Sequence, residues 1–236
     1  MPNHKTISQG GEASWEIQRS RFITHTAHAE NEAQAQEFIR TLKKKYFDAR
    51  HNCSAYVLGA DGNLQKSSDD GEPGGTAGSP ILEAIKKNEL TDTVIVVTRY
   101  FGGIKLGAGG LIRAYSHSAV LGIEASTVVR TTLFDRVGVT IDYTLLGSIE
   151  NLLRQKGIRT EDTVYAEKVQ LILLLEKENG EDILAALTDL TAARCQIEPL
   201  GEIYIDLPLL SSPVTFIFEQ IRIWKHKILC FFFIFR

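Results

Sequence analysis

The sequence predicts an α+β protein built from two parts, and three features of the chain support this fold class. Strand-like and helix-like patterns alternate along the first 133 residues. From residue 134 onwards the patterns follow the order βαββαβ, which is typical of a ferredoxin-like domain with two helices on one face of an antiparallel sheet. The charge balance changes at the same place, from 15 Lys and Arg against 14 Asp and Glu in residues 1–133 to 7 against 14 in residues 134–208. We therefore predict domains at 1–133 and 134–208.

The first part begins with two short strands, near residues 15–17 and 22–26, followed by a long amphipathic helix. Asn31 is expected to cap this helix, with Gln34 three residues later completing a capping box. The apolar stripe of the helix consists of Ala35, Phe38, Ile39, Leu42 and Tyr46. The opposite face, which we interpret as solvated, carries Arg40, Lys43, Lys44 and Lys45.

A loop rich in glycine and acidic residues follows a strand at 53–58 and a turn at 59–63. Residues 67–80 cannot form a helix or a central strand, because Gly and Pro interrupt both. Ser79 is expected to cap the next helix, with Pro80 in its first turn, where a missing N–H costs nothing.

The centre of the first part is predicted to be a strand at 93–98, which is apolar and β-branched on both faces, as buried central strands are. A glycine-rich segment then leads into a second helix, and a strand at 127–133 closes this part. The apolar stripe of that helix consists of Leu111, Ile112, Tyr115, Ala119 and Gly122.

The second part is predicted from alternating strand patterns and two amphipathic segments. Gly157 is expected to end the first of its helices. The predicted elements are a strand at 137–141, a helix at 145–156, strands at 159–165 and 168–175, a helix at 181–190 and a strand ending near Ile205.

The composition of the chain bears on its general class and on its possible partners. A hydrophobic content of 44% is ordinary for a globular protein, and a net charge of −3 argues against a general nucleic-acid binder. The acidic residues of 134–208 should repel a phosphate backbone, so any nucleic-acid contact is expected in the first part. The three cysteines, Cys53, Cys195 and Cys230, lack CxxC or zinc-ligand spacing, which favours a reduced, cytoplasmic protein. The N-terminus has no apolar stretch, and we expect no signal peptide.

One region combines the features of a site for an anion. A buried strand leads to Arg99 and then to a glycine-rich segment that opens a helix, and between Asp92 and Glu124 there are three cations and no acid. Glycines let backbone N–H groups approach a ligand, and a helix N-terminus adds partial positive charge. The alternative is a sharp structural corner without a ligand. The candidate anion- or RNA-binding residues are Arg99, Gly102, Gly103, Lys105, Gly107, Gly109, Gly110 and Arg113.

A second loop is expected to lie beside the first and contains His51, Asp69, Asp70 and Glu72. Carboxylates of this kind can hold Mg²⁺, but Asp and Gly are also ordinary turn residues, and we predict no metal site. His51 could act as a base or hydrogen-bond a loop. There is no phosphate-binding GxxxxGK[ST] pattern and no nucleophile with an evident partner, so catalytic residues are unknown and no cofactor is predicted.

These two loops together resemble the signature of the YigZ/IMPACT family. The runs that carry the resemblance are HNCSAY (51–56), SDDGEP (68–73), GTAG (75–78), RYFGGIKLG (99–107) and GGLIRAY (109–115). Their length and spacing make the combined motif specific, and the resemblance extends from residue 1 to about residue 208.

The resemblance implies a fold and a broad role. It implies an N-terminal two-layer α/β domain of the kind found in ribosomal protein domains (domain-2-like), elongation factor G domain IV and GHMP small-molecule kinases. It also implies a C-terminal domain like domain V of elongation factor G. Eukaryotic IMPACT proteins share only the first domain and regulate translation in the amino-acid-starvation stress response by binding a kinase activator. The resemblance carries no settled activity for bacterial members.

Residues 209–236 lie beyond the resemblance and end in eight consecutive apolar residues, 228–235. About 20 such residues are needed to span a bilayer, so no stable membrane insertion is expected. We interpret this tail as a non-native extension, such as a frameshift or read-through. Interfacial membrane contact and packing onto the body of the protein are the alternatives.

The function predicted from these patterns is binding of RNA, the ribosome or a translation factor through the glycine-rich loop. One alternative is a Mg²⁺-dependent enzyme acting on a phosphorylated small molecule, with Asp69 and Asp70 on the metal and His51 or Asp70 as base. The other is a protein-interaction module in which the glycine-rich loop is structural. The oligomeric state and the natural ligand stay open.

Overall fold

The structure, a computed structural model, describes residues 3–209. Apart from Leu209, the predicted tail therefore lies outside the described residues. Within the described range the chain forms strands, helices and a short 3-10 turn at Tyr143–Leu145. In chain order the elements are β1 (His4–Gln9), β2 (Glu12–Ile17), β3 (Ser20–His28), α1 (Glu32–Lys45), β4 (His51–Leu58), β5 (Leu64–Ser68), α2 (Gly78–Lys87), β6 (Thr93–Tyr100), α3 (Gly107–Glu124), β7 (Thr127–Ile141), α4 (Leu146–Lys156), β8 (Arg159–Tyr165), β9 (Val169–Glu176), α5 (Gly180–Leu190) and β10 (Gln196–Pro208).

The first sheet contains five antiparallel strands in the order β2-β3-β6-β4-β5. Side chains of the central strands β4 and β6 alternate between its two faces, and both sets are buried. Ala55 and Ile95 join the core beneath α2 and α3, whereas Tyr56 and Val94 join the core beneath α1. A sheet that is apolar on both faces needs cover on both. This part therefore has three layers, instead of the two that the resemblance implies.

The second sheet is organised around β7, a strand of 15 residues. β10 runs antiparallel along most of one edge of β7, while β1 pairs with residues 127–131 and β9 with residues 134–141 of its other edge. β8 pairs with β9, which gives the order β10-β7-β9-β8. Ile149 of α4 and Leu187 of α5 share one core with Val139 of β7. The predicted element order βαββαβ is observed.

The predicted domain boundary at 133/134 falls inside β7. Leu133 and Phe134 are both paired with β10, opposite Tyr204 and Ile203. The sequence pattern predicts two strands here, at 127–133 and 137–141, but residues 134–136 contain no Gly or Pro that would interrupt a strand. A single strand therefore continues through the boundary, and the division into domains at this point stays a prediction.

The ends of several elements differ from the sequence-based expectations. The cap of α1 is confirmed, since the Gln34 N–H donates to Asn31 Oδ1 at 3.0 Å. The Gln34 side chain accepts from the N–H of Glu30 at 2.8 Å, one residue before the expected partner. α2 begins at Gly78, so Ser79 lies inside the helix and is not its cap. Strand β1 was not predicted from the sequence, because its pairing with β7 is long-range.

Candidate anion-binding cleft

The glycine-rich segment between β6 and α3 is shaped by close packing at one point and by backbone conformation at two others. A Cβ on Gly102 would lie 2.5 Å from the backbone N of Ser20, and closer still to the carbonyl group of Arg19 in the β2–β3 turn. Gly103 and Gly107 have φ angles of +86° and +70°, which favour glycine. The segment is thus held against the turn at its start and reaches α3 through two left-handed residues.

The first turn of α3 is also glycine-rich and presents backbone N–H groups. A Cβ on Gly110 would lie 3.0 Å from Leu106 Cβ, and one on Gly109 would lie 3.6 Å from the Arg113 guanidinium. The N-cap residue Leu106 makes no side-chain hydrogen bond, and the first turn has no acidic residue. The unpaired N–H groups of a helix start carry partial positive charge, which favours an anion.

The second loop is held together by Asp69. Its carboxylate accepts the backbone N–H groups of Gly75, Ala77 and Gly78 at 2.8, 2.9 and 2.8 Å. Partial burial acts to raise the pKa of this carboxyl, but the three backbone hydrogen bonds outweigh it and hold the pKa below its ordinary value. Asp69 therefore caps α2, which is the role that the sequence analysis assigns to Ser79.

Arg99 and Glu72 form a buried ion pair at the base of the cleft between the two loops. The Nη1 of Arg99 lies 2.7 Å from Glu72 Oε1, and the two side chains are 6% and 4% exposed. The Tyr115 hydroxyl donates to the same oxygen at 2.8 Å. The segment between Asp92 and Glu124 contains no acid, but the second loop brings one, Glu72, against Arg99. Arg99 is therefore a candidate anion-binding residue whose charge is already neutralised by Glu72.

The Arg99 guanidinium is also enclosed by aromatic rings. Its carbon lies 5.6 Å from the ring centre of Phe22 and 5.4 Å from that of Phe101. Its Nη2 lies 3.4 Å from Ser20 Oγ, while its buried Nε–H has no hydrogen-bond partner among the described residues. Arg99 is thus mainly a structural centre that still has one unpaired donor.

His51 and Asp70 connect the second loop to β4. The Nδ1 of His51 lies 3.0 Å from the carbonyl oxygen of Asp70. Because a carbonyl can only accept, the proton of this bond sits on Nδ1, and Nε2 is the acceptor of the neutral ring. The Asp70 carboxylate accepts the Asn52 N–H at 2.7 Å and pairs with Lys43 Nζ at 2.6 Å. Lys43 lies on the exposed face of α1, as predicted, and its amine also pairs with this loop.

The two loops border a cleft of about 420 Å³. Among the candidate residues, His51, Glu72, Arg99, Lys105 and Gly107 line it. The remaining candidates do not line it, and Arg113 is exposed on α3 beyond the first turn. The complete lining is Arg50, His51, Glu72, Pro73, Arg99, Phe101, Lys105, Leu106, Gly107, Ala108 and Leu111.

The side chains near the cleft offer little for metal binding or nucleophilic catalysis. In residues 3–209, no three His, Cys, Asp or Glu side chains are grouped so as to hold a metal ion. Cys53 contacts Tyr115, and burial raises the pKa of its thiol to about 12. Since the thiolate is the reactive form, Cys53 is a poor nucleophile at neutral pH.

Comparison with known proteins assigns the chain to a family. The Impact N-terminal domain matches residues 18–123, and a domain of unknown function, DUF1949, matches residues 139–194. The chain is 46% identical to the IMPACT family member YvyE of Bacillus subtilis, over 84% of this chain and 91% of that protein. It belongs to the IMPACT family. YigZ of Escherichia coli, another IMPACT family member, is 35% identical over 79% of this chain and 93% of its own length.

A crystal structure described as that of a hypothetical protein resembles this IMPACT-family chain, with a TM-score of 0.55 and 31% identity. It covers 90% of this chain and all of the other. The whole cleft lies within the region matched by the Impact N-terminal domain. None of the helices in residues 3–209 is both long and apolar enough to cross a membrane.

Several residues of the cleft region were not predicted from the sequence, and three of them bear on its chemistry. Arg50 and Phe101 line the cleft, and Tyr115 binds Glu72 beneath it. Arg50 and Phe101 each adjoin a candidate residue, His51 and Gly102, so adjacency in sequence is the signal that could have found them. The part played by Tyr115 has no such signal, because it depends on how α3 packs against the second loop.

Proposed function

We propose that this protein acts in translation by binding RNA, free or on the ribosome, through the cleft and the adjoining start of α3. The proposal rests mainly on the charge of the cleft. It is lined by three cations, Arg50, Arg99 and Lys105, and by one carboxylate, Glu72, which Arg99 already neutralises. Two positive charges and the N-terminus of α3 are therefore left for a phosphate.

The geometry around Lys105 and Arg113 supports this proposal further. Both side chains are exposed, and neither has an ion-pair partner within residues 3–209. Arg113 lies close to the backbone of Gly109 in the first turn of α3. Cations beside free backbone N–H groups are the combination that proteins use to hold phosphates.

The proposal includes the fold relationships that the family resemblance implies. The strand order β10-β7-β9-β8, with α4 and α5 on one face, supports a ferredoxin-like second part similar to domain V of elongation factor G. The relation of the first part to ribosomal protein domains and to elongation factor G domain IV belongs to the same proposal. Both relationships favour a partner in translation, as an argument by analogy.

The alternative of a Mg²⁺-dependent enzyme receives no support from the second loop. The Asp69 carboxylate accepts three backbone N–H groups, and that of Asp70 is shared between Asn52 and Lys43. Using either as a metal ligand would require breaking these bonds. The interaction-module alternative, in which the glycines are purely structural, is decided by the experiment below.

A salt titration of RNA binding tests the proposal. Each phosphate contact contributes about 0.7–0.9 to the slope of log affinity against log salt. Replacing Lys105 and Arg113 together by Ala should weaken binding of RNA or ribosomes and flatten the slope by roughly 1–2 units. The matched control is Lys87→Ala with Arg154→Ala, one exposed Lys and one exposed Arg in the last turns of α2 and α4.

Lys43 and Lys44 of α1 are unsuitable as a control, because Lys43 pairs with Asp70 and its loss would disturb the second loop. Circular dichroism should show that both double variants are folded. If the Lys105/Arg113 variant binds as the wild type does, the glycine-rich loop is structural, and the interaction-module alternative takes the place of RNA binding.

A further inference from the structure

The cleft combines apolar side chains with positive charge, and this combination bears on which part of an RNA it can hold. The lining includes aromatic and apolar side chains, namely Phe101, Leu106, Leu111 and Pro73. It also includes the cations Arg50, Arg99 and Lys105 and the first residues of α3. A volume of about 420 Å³ lies near the lower end of the range of about 300–1,000 Å³ that small-molecule sites occupy. The cleft therefore has room for a group of the size of one nucleotide.

Phe101 has the features of a stacking surface. Its side chain lines the cleft, and the residue is 47% exposed although it is a large hydrophobe. The Arg99 guanidinium lies over its ring, 5.4 Å from the ring centre, and fixes one side of it against the body of the protein. Aromatic rings held in this way bind unpaired bases by stacking, with little dependence on which base it is.

The charges in the cleft exceed what one internal phosphodiester would neutralise. Lys105 and Arg50 line the cleft, Glu72 is paired with Arg99, and the first turn of α3 adds partial positive charge. The Nε–H of Arg99 is a second pointer to a ligand, since it is buried and unpartnered in a residue that lines the cleft. A phosphodiester carries one negative charge, whereas a phosphomonoester carries about −1.5 to −2 at pH 7. The positive charge of the cleft therefore matches a phosphomonoester better than a phosphodiester.

We propose that the cleft binds a single unpaired nucleotide carrying a terminal phosphomonoester. Its base stacks on Phe101, and its phosphate lies against Lys105, Arg50 and the first turn of α3. This inference rests on the proposed function for its RNA partner, because it identifies the end of a strand as the part of the RNA that is bound. A free nucleoside monophosphate presents the same chemistry, and the experiment separates the two sources.

The test compares four ligands by competition for the full-length protein. The ligands are a single-stranded RNA of about eight nucleotides with a 5′-phosphate, the same strand with a 5′-hydroxyl, the same strand with a 3′-phosphate, and adenosine monophosphate. We expect either phosphorylated strand to bind about 10- to 100-fold tighter than the hydroxyl strand, because charged hydrogen bonds to the monoester are lost in the latter. Loss of that preference overturns the inference.

Two variants examine the stacking contact. Phe101→Leu keeps an apolar side chain but removes the ring, and it should weaken binding of the phosphorylated strand by about 5- to 100-fold. Tyr165→Leu is the matched control, since Tyr165 is an aromatic residue 62% exposed in β8, outside the cleft and in the acidic part of the chain. Equal effects of the two changes would contradict stacking in the cleft.

The ligands also separate this inference from the proposed function. If all three strands bind equally, and their binding depends on Lys105 but not on Phe101, the protein binds RNA as proposed, and the inference of a terminal-nucleotide site is wrong. If adenosine monophosphate binds, its binding is weakened by Phe101→Leu, and none of the RNA strands binds, the cleft is a nucleotide site and the proposed RNA-binding function is wrong. If nothing binds to the folded protein, both are overturned.

Discussion

The buried ion pair of Glu72 and Arg99 has a natural comparison elsewhere in the chain. The N–O distance is 2.7 Å for this pair and 2.8 Å for Arg136 and Glu161, so the two contacts are nearly equal in length. They differ in burial, since the side chains are 6% and 4% exposed in the first pair and 33% and 32% exposed in the second. Comparing them therefore shows mainly what burial does to ion pairs of similar length.

The perturbation is Glu72→Gln, which keeps the shape of the side chain and an oxygen for the Tyr115 hydroxyl but removes the charge. At a separation of about 4 Å, two charges attract by about 4 kcal/mol at an effective dielectric constant of ~20. Leaving one partner of a buried pair without its counter-charge costs about 3–5 kcal/mol. The corresponding Glu161→Gln change should cost about 0.2–1 kcal/mol, because water screens that pair.

A double-mutant cycle converts this difference into an interaction energy. We expect Glu72→Gln combined with Arg99→Met to be clearly less destabilising than the sum of the single changes, with a coupling of about 2 kcal/mol or more. The cycle at Arg136 and Glu161 should give less than about 1 kcal/mol.

Urea unfolding provides the measurement, followed by tryptophan fluorescence for the pair in the first part and by far-ultraviolet circular dichroism for Arg136 and Glu161, which lie in the second part. Trp15 reports on the first part of the chain, because its indole N–H donates to Ser118 Oγ at 2.6 Å and its ring stacks on Phe22. The other tryptophan, Trp224, lies outside the described residues and is replaced by Phe in every variant. A coupling at Glu72 and Arg99 no larger than that of the exposed pair would refute the reasoning from burial.

Two further variants test the loops. Gly102→Ala should lower the free energy of unfolding by several times the ~1 kcal/mol expected for Gly103→Ala. Of these two glycines, only Gly102 would place a Cβ in overlap with backbone atoms. Equal midpoints of the two variants in thermal unfolding would contradict this. Asp69→Asn should cost about 1 kcal/mol at pH 7, because an amide NH2 group replaces one of the two oxygens that accept backbone N–H groups. Since the folded pKa of Asp69 lies below its ordinary 3.8, its contribution is present above that pH and is lost as the pH falls through the folded pKa. Unfolding curves of the two proteins should therefore converge in acid, and a constant gap would count against the assigned role.

The location of the cleft could be predicted from the sequence because local patterns determine it. Arg99 follows an apolar run that reads as a buried strand, and the glycines after it mark a segment with unusual backbone conformations. Both signals come from neighbours in the chain. The partner of Arg99 could not be predicted, because Glu72 is 27 residues away and reaches it only through the fold of the second loop.

The cap of α2 illustrates the same limit at shorter range. Ser79 followed by Pro80 has the pattern of a helix start, and local sequence favours that assignment. Asp69 offers a charged acceptor that reaches the N–H groups of Ala77 and Gly78 across the loop, so the helix begins before Ser79. The number of layers in the first part was predicted wrongly for a similar reason. The sequence shows that β4 and β6 are apolar on both faces, but it does not show which helix covers each face.

The continuity of β7 restricts how the chain can move. A hinge needs a few residues whose φ and ψ can change without breaking hydrogen bonds. Leu133 and Phe134 do not meet this condition, since both are paired with β10. Reorientation of the acidic half relative to the cleft must therefore come from gradual twisting of a paired ribbon, which is a collective motion of small amplitude. If RNA binds at the cleft as proposed, the position of the acidic part relative to that RNA is set by the paired strand β7 and not by a hinge at residues 133 and 134.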